Sequence, residues 1–304
     1  MKAIGNTPLI KLERLSEPGS ADIYVKYEGA NPTGSMKDRM ALSMIEGAEK
    51  RGQLQPGGTV MDYTGGSTGS SLAMVCATKG YQAYFISSDA FAEEKLQTMR
   101  AFGATLEIFP SDNGKITAKL IDSMVARARE LSKQPNTFWT DQFNNADNRN
   151  AYHSMAREII HVLGTGIDEF IMGVGTGGSF SGNAEMFKKE IPGIRCIAIE
   201  PYNVRALSGG DTSGTHKLEG IGSGFVPTIC RLDLADEIIA VKDEDAYATA
   251  RKLARTEGVF GGTTAGANVW AALQRARKIG AGKRIVTIIP DSGLKYLHGD
   301  LYRS

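Results

Sequence analysis

Eight short β-rich runs, separated by helical patterns, constrain this chain more than any other feature. The strand candidates are DIYVKYE (22–28), TVMDY (59–63), YQAYFI (81–86), ATLEIF (104–109), DEFIMGV (168–174), IRCIAIE (194–200), EIIAV (237–241) and RIVTIIP (284–290). Between them, Leu120, Ile121, Met124, Val125, Ala128 and Leu131 follow Ile116 at three- and four-residue intervals. Met40, Ala41, Met44, Ile45 and Ala48 do the same ahead of Gly52, a candidate C-cap. Alternation of this kind predicts an α/β fold with mostly parallel, twisted sheets covered on both faces, because parallel strands need helical crossovers. With 304 residues the chain can bury one large core or two medium ones, and two lobes are expected. In such sheets ligands sit at the carboxyl ends of the strands, so the loops that follow strands are where function is sought.

Composition narrows the partners. A net charge of +1, with 41% hydrophobic and 23% charged residues, supplies no field to attract nucleic acid or acidic lipid, and small neutral or zwitterionic ligands fit better. Cys76, Cys196 and Cys230 are scattered, with no CxxC pair, so neither a disulfide framework nor a zinc site is implied and a reducing cytoplasm is expected. Cys76, in the apolar run LAMVCA, is expected in the core. MKAIGNTPLIKL lacks the apolar stretch of a signal peptide, and no run reaches the roughly 18 apolar residues of a membrane span.

Three post-strand loops are rich in glycine: TGGSTGSS (64–71), GVGTGGSFSG (173–182) and PDSG (290–293). A fourth cluster, EGIGSGF (219–225), has no clear strand before it. The loop at 173–182 runs from an apolar strand into a helical pattern containing Met186 and Phe187, which suits an anion cradle of backbone N–H groups at a helix N-terminus. Gly173, Gly175 and Gly178 also satisfy GxGxxG, with Glu200 placed where a dinucleotide-binding fold keeps its ribose acid, so a nicotinamide-dependent oxidoreductase is one reading. Gly65-Gly66-Ser67-Thr68-Gly69 satisfies GxSxG, and Asp291 and His298 follow in order, so a serine hydrolase is another.

NPTGSMKDR (31–39) matches neither rival. Pro32 and Gly34 set a turn, and Ser35 and Asp38 stand three apart as an approximate capping box, placing Lys37 in the first turn of a helix. The positive end of the helix dipole disfavours an ammonium there and favours the free amine that attacks aldehydes. A phosphate cradle and an activated lysine are together accounted for by one cofactor, pyridoxal phosphate.

Seven segments, NPTGSMKDR, YTGGSTGSSLA, DQFNN (141–145), GVGTGGSFSG, EGIGSGFVP (219–227), GTTAGAN (262–268) and IPDSGLKYL (289–297), lie in the order and spacing of the cysteine synthase and cystathionine β-synthase family, which the chain resembles from Ile4 to about Leu297. IGNTPLIKL resembles that family's opening segment. The resemblance implies a fold type II, tryptophan synthase β-subunit-like enzyme. A larger cofactor-carrying domain is expected over 1–37 and 146–304, with a smaller mobile domain over 38–145. It implies that Lys37 is the Schiff-base lysine and proton shuttle, that Gly175, Thr176, Gly177, Gly178 and Ser179 hold the cofactor phosphate, and that Ser292 faces the pyridine nitrogen. A hydroxyl there makes the ring a weaker electron sink than a carboxylate would, which favours chemistry at the β-carbon. Thr64, Gly65, Gly66, Ser67, Thr68 and Gln142 are expected to bind the substrate α-carboxylate, with Ser67 also on the cofactor and Gly222 near the site entrance. No metal is implied.

The chain departs from the family where TGGSTG replaces the usual TSGNTG: Gly65 stands for a serine and Ser67 for an asparagine that contacts the cofactor ring oxygen. Ser179 stands for a threonine. The reaction implied is β-replacement on an O-activated L-serine, O-acetylserine plus sulfide giving cysteine. The alternatives are condensation of serine with homocysteine or another thiol, and β-elimination of cysteine or serine. A homodimer is expected, without nucleic acid or membrane, and without the haem-binding extension or regulatory domain of some cystathionine β-synthases.

Overall fold

The computed structural model describes residues 1–115 and 117–303, so Ile116, at the head of one expected apolar stripe, lies outside the described residues. The chain divides into two compact units, one of residues 1–3 and 37–148, the other of 4–36 and 149–304.

The second unit is built on a six-stranded sheet of β1 (Leu9–Lys11), β2 (Asp22–Tyr27), β7 (Glu169–Gly173), β8 (Arg195–Pro201), β9 (Glu237–Val241) and β10 (Arg284–Ile289), in the order β1-β2-β10-β7-β8-β9. Only β1 is antiparallel, on the edge. Every residue of β7 is buried, and so is all of β10 but its first. Successive strand side chains point to opposite faces, so both faces are covered. Helices α6 (His153–Leu163), α7 (Gly178–Glu190), α8 (Asp243–Glu257) and α9 (Thr263–Ile279) do the covering. The core joins Ile23, Val25, Ile171, Ile197, Ile199 and Ile285 of the strands to Val269 and alanines of α9. Charges inside the strands are paired: Lys26 donates to the carbonyl of Thr7 at 2.6 Å and lies 2.7 Å from Glu158, while Glu169 is held by the buried Arg275 of α9.

The first unit carries a parallel four-stranded sheet, β3 (Thr59–Tyr63), β4 (Gln82–Ser88), β5 (Thr105–Phe109) and β6 (Thr137–Trp139), in the order β5-β4-β3-β6. Helices α1 (Lys37–Lys50), α2 (Ser67–Lys79), α3 (Glu93–Ala101) and α4 (Ala118–Leu131) accompany it. Leu120, Met124, Ala128 and Leu131 of α4 form the expected stripe and pack with Met61 and Ile86 of the strands. A short helix α5 (Ala146–Asn150) follows β6. Gly52, two residues beyond α1, has φ +70°, as the C-terminal glycine of that helix should.

In each sheet the strand order reverses once, between β3 and β6 in the first unit and between β10 and β7 in the second. Open α/β sheets bind ligands in the crevice at such a reversal, at the carboxyl ends of the strands. The loops that leave those ends are 64–66 after β3, 140–145 after β6, 174–177 after β7 and 290–292 after β10.

Candidate active site

At the β7–β10 reversal, the chain turns from Gly173 into α7 through Gly175, Thr176 and Gly177. Gly177 is the N-cap of α7, has φ +82°, and makes no side-chain capping bond. The first-turn N–H groups of a 13-residue helix are thereby left without a side-chain acceptor from the cap. The turn is pressed from behind: a β-carbon at Gly175 would lie 2.1 Å from the carbonyl oxygen of Gly220, and one at Gly177 would lie 2.4 Å from Cβ of Cys230. Only glycine fits either place, and the backbone N–H groups stand where an anion can reach them. Thr176 and Ser179 bring two buried hydroxyls to the same turn, and that of Ser179 donates to the thioether of Met172, at 3.2 Å, a weak acceptor. A helix start on a glycine N-cap, where the Thr176 hydroxyl reaches one first-turn N–H, that of Gly178 at 3.4 Å, together with a glycine turn that no side chain can enter, fits a phosphate dianion.

Glu200, the acid that a dinucleotide reading requires, is engaged elsewhere. It is buried and accepts from the backbone N–H of Leu207 at 2.7 Å and the hydroxyl of Ser208. The segment 216–224 is pinned as well. Leu218 N–H donates to Nδ1 of His216 at 3.1 Å, which leaves Nε2 to donate to the carbonyl of Gly222, also at 3.1 Å. Gly222, φ +73°, in turn donates to the carbonyl of Val174 at the rim of the cradle.

The PDSG loop holds the strap that precedes Lys37. Met36 N–H donates to the carbonyl of Pro290 at 2.8 Å, Ser292 N–H to the carbonyl of Gly34 at 2.9 Å, and Ser35 and Asp291 form a β-bridge. Gly34 has φ +72°, so the turn before the strap requires glycine. Ser292 is buried at the end of β10 and its hydroxyl accepts from Leu294 N–H at 3.3 Å. Lys37 is the first residue of α1, half-buried, within the first turn as the spacing predicts. Asp38 is buried and accepts from the hydroxyl of Ser71 in α2 at 2.6 Å.

In the first unit the TGGSTG turn leaves β3 and starts α2. Gly66 is the N-cap, extended, with no side-chain bond, and the space where its β-carbon would stand is open. Thr64 Oγ1 accepts from Gly69 N–H at 3.2 Å and closes the turn on itself. Thr68 donates to Oε1 of Gln142 at 2.9 Å, so the segment after β6 is tied to the start of α2. Ser67 is the first helical residue. This is a second helix start on a glycine N-cap, with one first-turn N–H taken by Thr64 and hydroxyl and amide side chains beside it, suited to a carboxylate.

Two buried side chains to which the sequence reading assigns no role support these turns. Asn268 of α9 accepts from Gly173 N–H at 2.8 Å and donates to the carbonyl of Ile288 at 2.8 Å, bracing the ends of β7 and β10 together. Asp62 of β3, fully buried, accepts from Tyr63 N–H, Trp139 Nε1 and Thr140 Oγ1, and so braces β3 against β6. Burial outweighs those hydrogen bonds and pushes its carboxyl up to about 6. The only sequence signal for either is a polar residue inside an otherwise apolar element. Cys76 and Cys196 take no part: both are fully buried, with thiols pushed up to about 12 by burial. Among the described residues no cluster of three or more metal-ligating side chains occurs, and no helix is long and apolar enough to cross a membrane.

Comparison with known proteins agrees with this chemistry. The family of pyridoxal-phosphate dependent enzymes matches residues 1–291. A cysteine synthase of Staphylococcus aureus (strain Mu50 / ATCC 700699) is 40% identical over 301 residues, 98% of this chain and 95% of that protein. The crystal structure of O-acetyl serine sulfhydrylase isoform 3 from Entamoeba histolytica superposes with TM-score 0.93 at 36% identity, covering 100% of this chain and 90% of that one. That of an O-ureido-L-serine synthase superposes with TM-score 0.93 at 34% identity, covering 99% and 93%. Likeness of this extent, on a fold whose post-strand turns suit a phosphate and a carboxylate, means that the chain belongs to the pyridoxal-phosphate-dependent enzymes, in the cysteine synthase and cystathionine β-synthase family of fold type II.

Proposed function

We propose that the enzyme replaces the β-substituent of an O-activated L-serine, with O-acetylserine and sulfide as substrates and cysteine as product. The observation that carries this reading is the 40% identity to a cysteine synthase across 98% of the chain. When bound, pyridoxal phosphate supplies an electron sink for the α-carbon of an amino acid. The N–H groups and hydroxyls of Gly175, Thr176, Gly177, Gly178 and Ser179 are suited to its phosphate, and the Ser292 hydroxyl to its ring nitrogen. A hydroxyl partner holds a proton on that nitrogen less firmly than a carboxylate, which supports loss of the β-substituent over transamination.

Thr64, Gly65, Gly66, Ser67, Thr68 and Gln142 would hold and orient the α-carboxylate at the start of α2. Nζ of Lys37 would carry the cofactor between turnovers and take the α-proton of the substrate. Lys37 is the first residue of α1, at the head of that helix. Gly222 and its neighbours would line the approach. Lys37→Ala is expected to lower turnover by at least about a thousandfold, the scale of a lost general base. Borohydride treatment of the wild type, followed by peptide mass mapping, should leave the cofactor on the peptide containing Lys37. A Lys37→Ala enzyme with wild-type turnover, or a tag on a different lysine, would overturn the assignment.

A nucleophile other than sulfide is the second reading, and Gly65 and Ser67 are what favour it. They change two polar contacts of the turn, and a structural neighbour is named for O-ureido-L-serine synthesis. Assays of O-acetylserine against sulfide, homocysteine and hydroxyurea as acceptors separate the two readings by their kcat/KM values.

A further inference from the structure

One neighbouring segment presses on two glycines of the TGGSTG turn, most tightly on Gly65. A β-carbon at Gly65 would lie 1.9 Å from Cγ of Phe91 and 2.1 and 2.2 Å from its two Cδ atoms. The aromatic ring therefore occupies the volume that any side chain at 65 would need. A β-carbon at Gly69 would lie 2.6 Å from both Sδ and Cε of Met99 in α3. Gly66, between them, faces open space. Residues 91–99 thus stand against Gly65 and Gly69, and the open space lies at Gly66, the half-buried N-cap of α2.

Phe91 is anchored for this position. Its N–H donates to the carbonyl of Ser88 at 3.2 Å, and Ala90 N–H donates to the Ser88 hydroxyl, so the end of β4 turns sharply and delivers the ring onto Gly65. Asp89 ties the same corner to Ser111, accepting its N–H at 2.7 Å. The ring packs against the cluster of Met61, Ile86, Leu120 and Met124 but remains half-buried, so part of it stays accessible beside the turn. An aromatic ring with a fixed backbone and one packed side is a wall that cannot yield without opening a cavity.

We infer that Phe91 is the specificity-determining wall of the amino-acid site, limiting the β-substituents admitted to small ones by filling the space beside Gly65. The inference rests on the reading of 64–69 as the carboxylate site. It explains why a glycine stands at 65: a serine hydroxyl and the Phe91 ring cannot share that volume. The chain has exchanged a hydrogen-bonding group for a steric one, so that shape takes over selection from a polar contact.

The test uses the cofactor-loaded enzyme and two amino acids without a β-leaving group, L-alanine and L-methionine, with Kd measured by calorimetry. Phe91→Ala is expected to tighten methionine relative to alanine by at least tenfold, and Phe91→Leu, which keeps the apolar packing, to move the ratio part of the way. Gly65→Ser alone should weaken both amino acids, and Gly65→Ser with Phe91→Ala should restore alanine binding. A methionine-to-alanine ratio that stays constant in both Phe91 variants would reduce Phe91 to a packing residue and overturn the proposal, even if both affinities fell together. Wild-type alanine affinity in Gly65→Ser would overturn it from the other side. Thr68→Val separates this failure from that of the underlying reading. If it leaves both Kd values unchanged, the carboxylate does not bind at this turn, and the wall falls with it.

Discussion

Asn268 braces the strand ends from which the cradle and the PDSG loop leave, without being an expected ligand contact. Its amide satisfies Gly173 N–H and the Ile288 carbonyl, both inside a fully buried region where water cannot substitute. Asn268→Ala would leave one donor and one acceptor buried without partners, at about 1–3 kcal/mol each. A loss of roughly 2–4 kcal/mol in denaturant unfolding is expected, with weaker cofactor retention. Asn268→Asp gives a sharper test. It keeps the acceptor for Gly173 but sets an oxygen against the Ile288 carbonyl, so it should be no more stable than alanine. Loss of less than about 1 kcal/mol in both variants would show that the strand ends hold without it. Sequence alone could not assign this role: GTTAGAN identifies the segment, but the partners of Asn268 lie in other elements, and only the fold brings them within reach.

Strands β3 and β6 are joined by Asp62, and through them the two ends of the carboxylate turn. Asp62 binds the end of β6, and Gln142, three residues past that strand, accepts from Thr68 at the start of α2. With its carboxyl pushed up to about 6 against an ordinary 3.8, Asp62 keeps its proton in the native state at pH values where the unfolded chain has lost it. Over about pH 4 to 6 the native state binds more protons than the unfolded one, so this group makes stability fall as pH rises. The cost at neutral pH is on the order of 3 kcal/mol. Asp62→Asn can keep the acceptor for Trp139 and Tyr63 and donate to Thr140 instead of accepting from it. It should match the wild type in melting experiments near pH 4.5 and exceed it near pH 7.5. A difference between the two proteins that does not vary with pH would show that Asp62 does not titrate in this range. The same pair of strands marks the limit of sequence reading. All eight β-rich runs form strands, because each carries enough β-branched and aromatic residues to register. β1 and β6 escape such a reading, since Leu9–Lys11 and Thr137–Trp139 have three residues apiece and show no period. Their existence is decided by neighbours, as in the pairing of Thr59 with Thr137. For the same reason the turn sequences can be read as glycine-rich loops, while the contact of Gly65 with Phe91 cannot.

At the scale of the whole molecule, two cores stand on two sheets, and the proposed binding energy for the cofactor phosphate is concentrated on one of them. Multidomain chains need not melt in one step, and a ligand stabilises the part that binds it. At a cofactor concentration a hundredfold above Kd the stabilisation is about 2.7 kcal/mol, which for units of this size raises the melting temperature by roughly 5–10 °C. The chain carries its own reporters, since its two tryptophans are divided between the units: Trp139 in β6 and Trp270 in α9, packed against the core of the second unit. Trp270→Phe leaves a probe of the first unit and Trp139→Phe a probe of the second. Removing the cofactor is expected to lower the transition seen by Trp270 by that amount and the one seen by Trp139 by less. Equal shifts at both would mean that the chain melts as a single cooperative body, and the cofactor energy is then shared through it. An unmoved Trp270 transition would contradict a cradle on Gly175 to Ser179, because binding energy supplied by that turn must appear in the stability of the sheet from which the turn emerges.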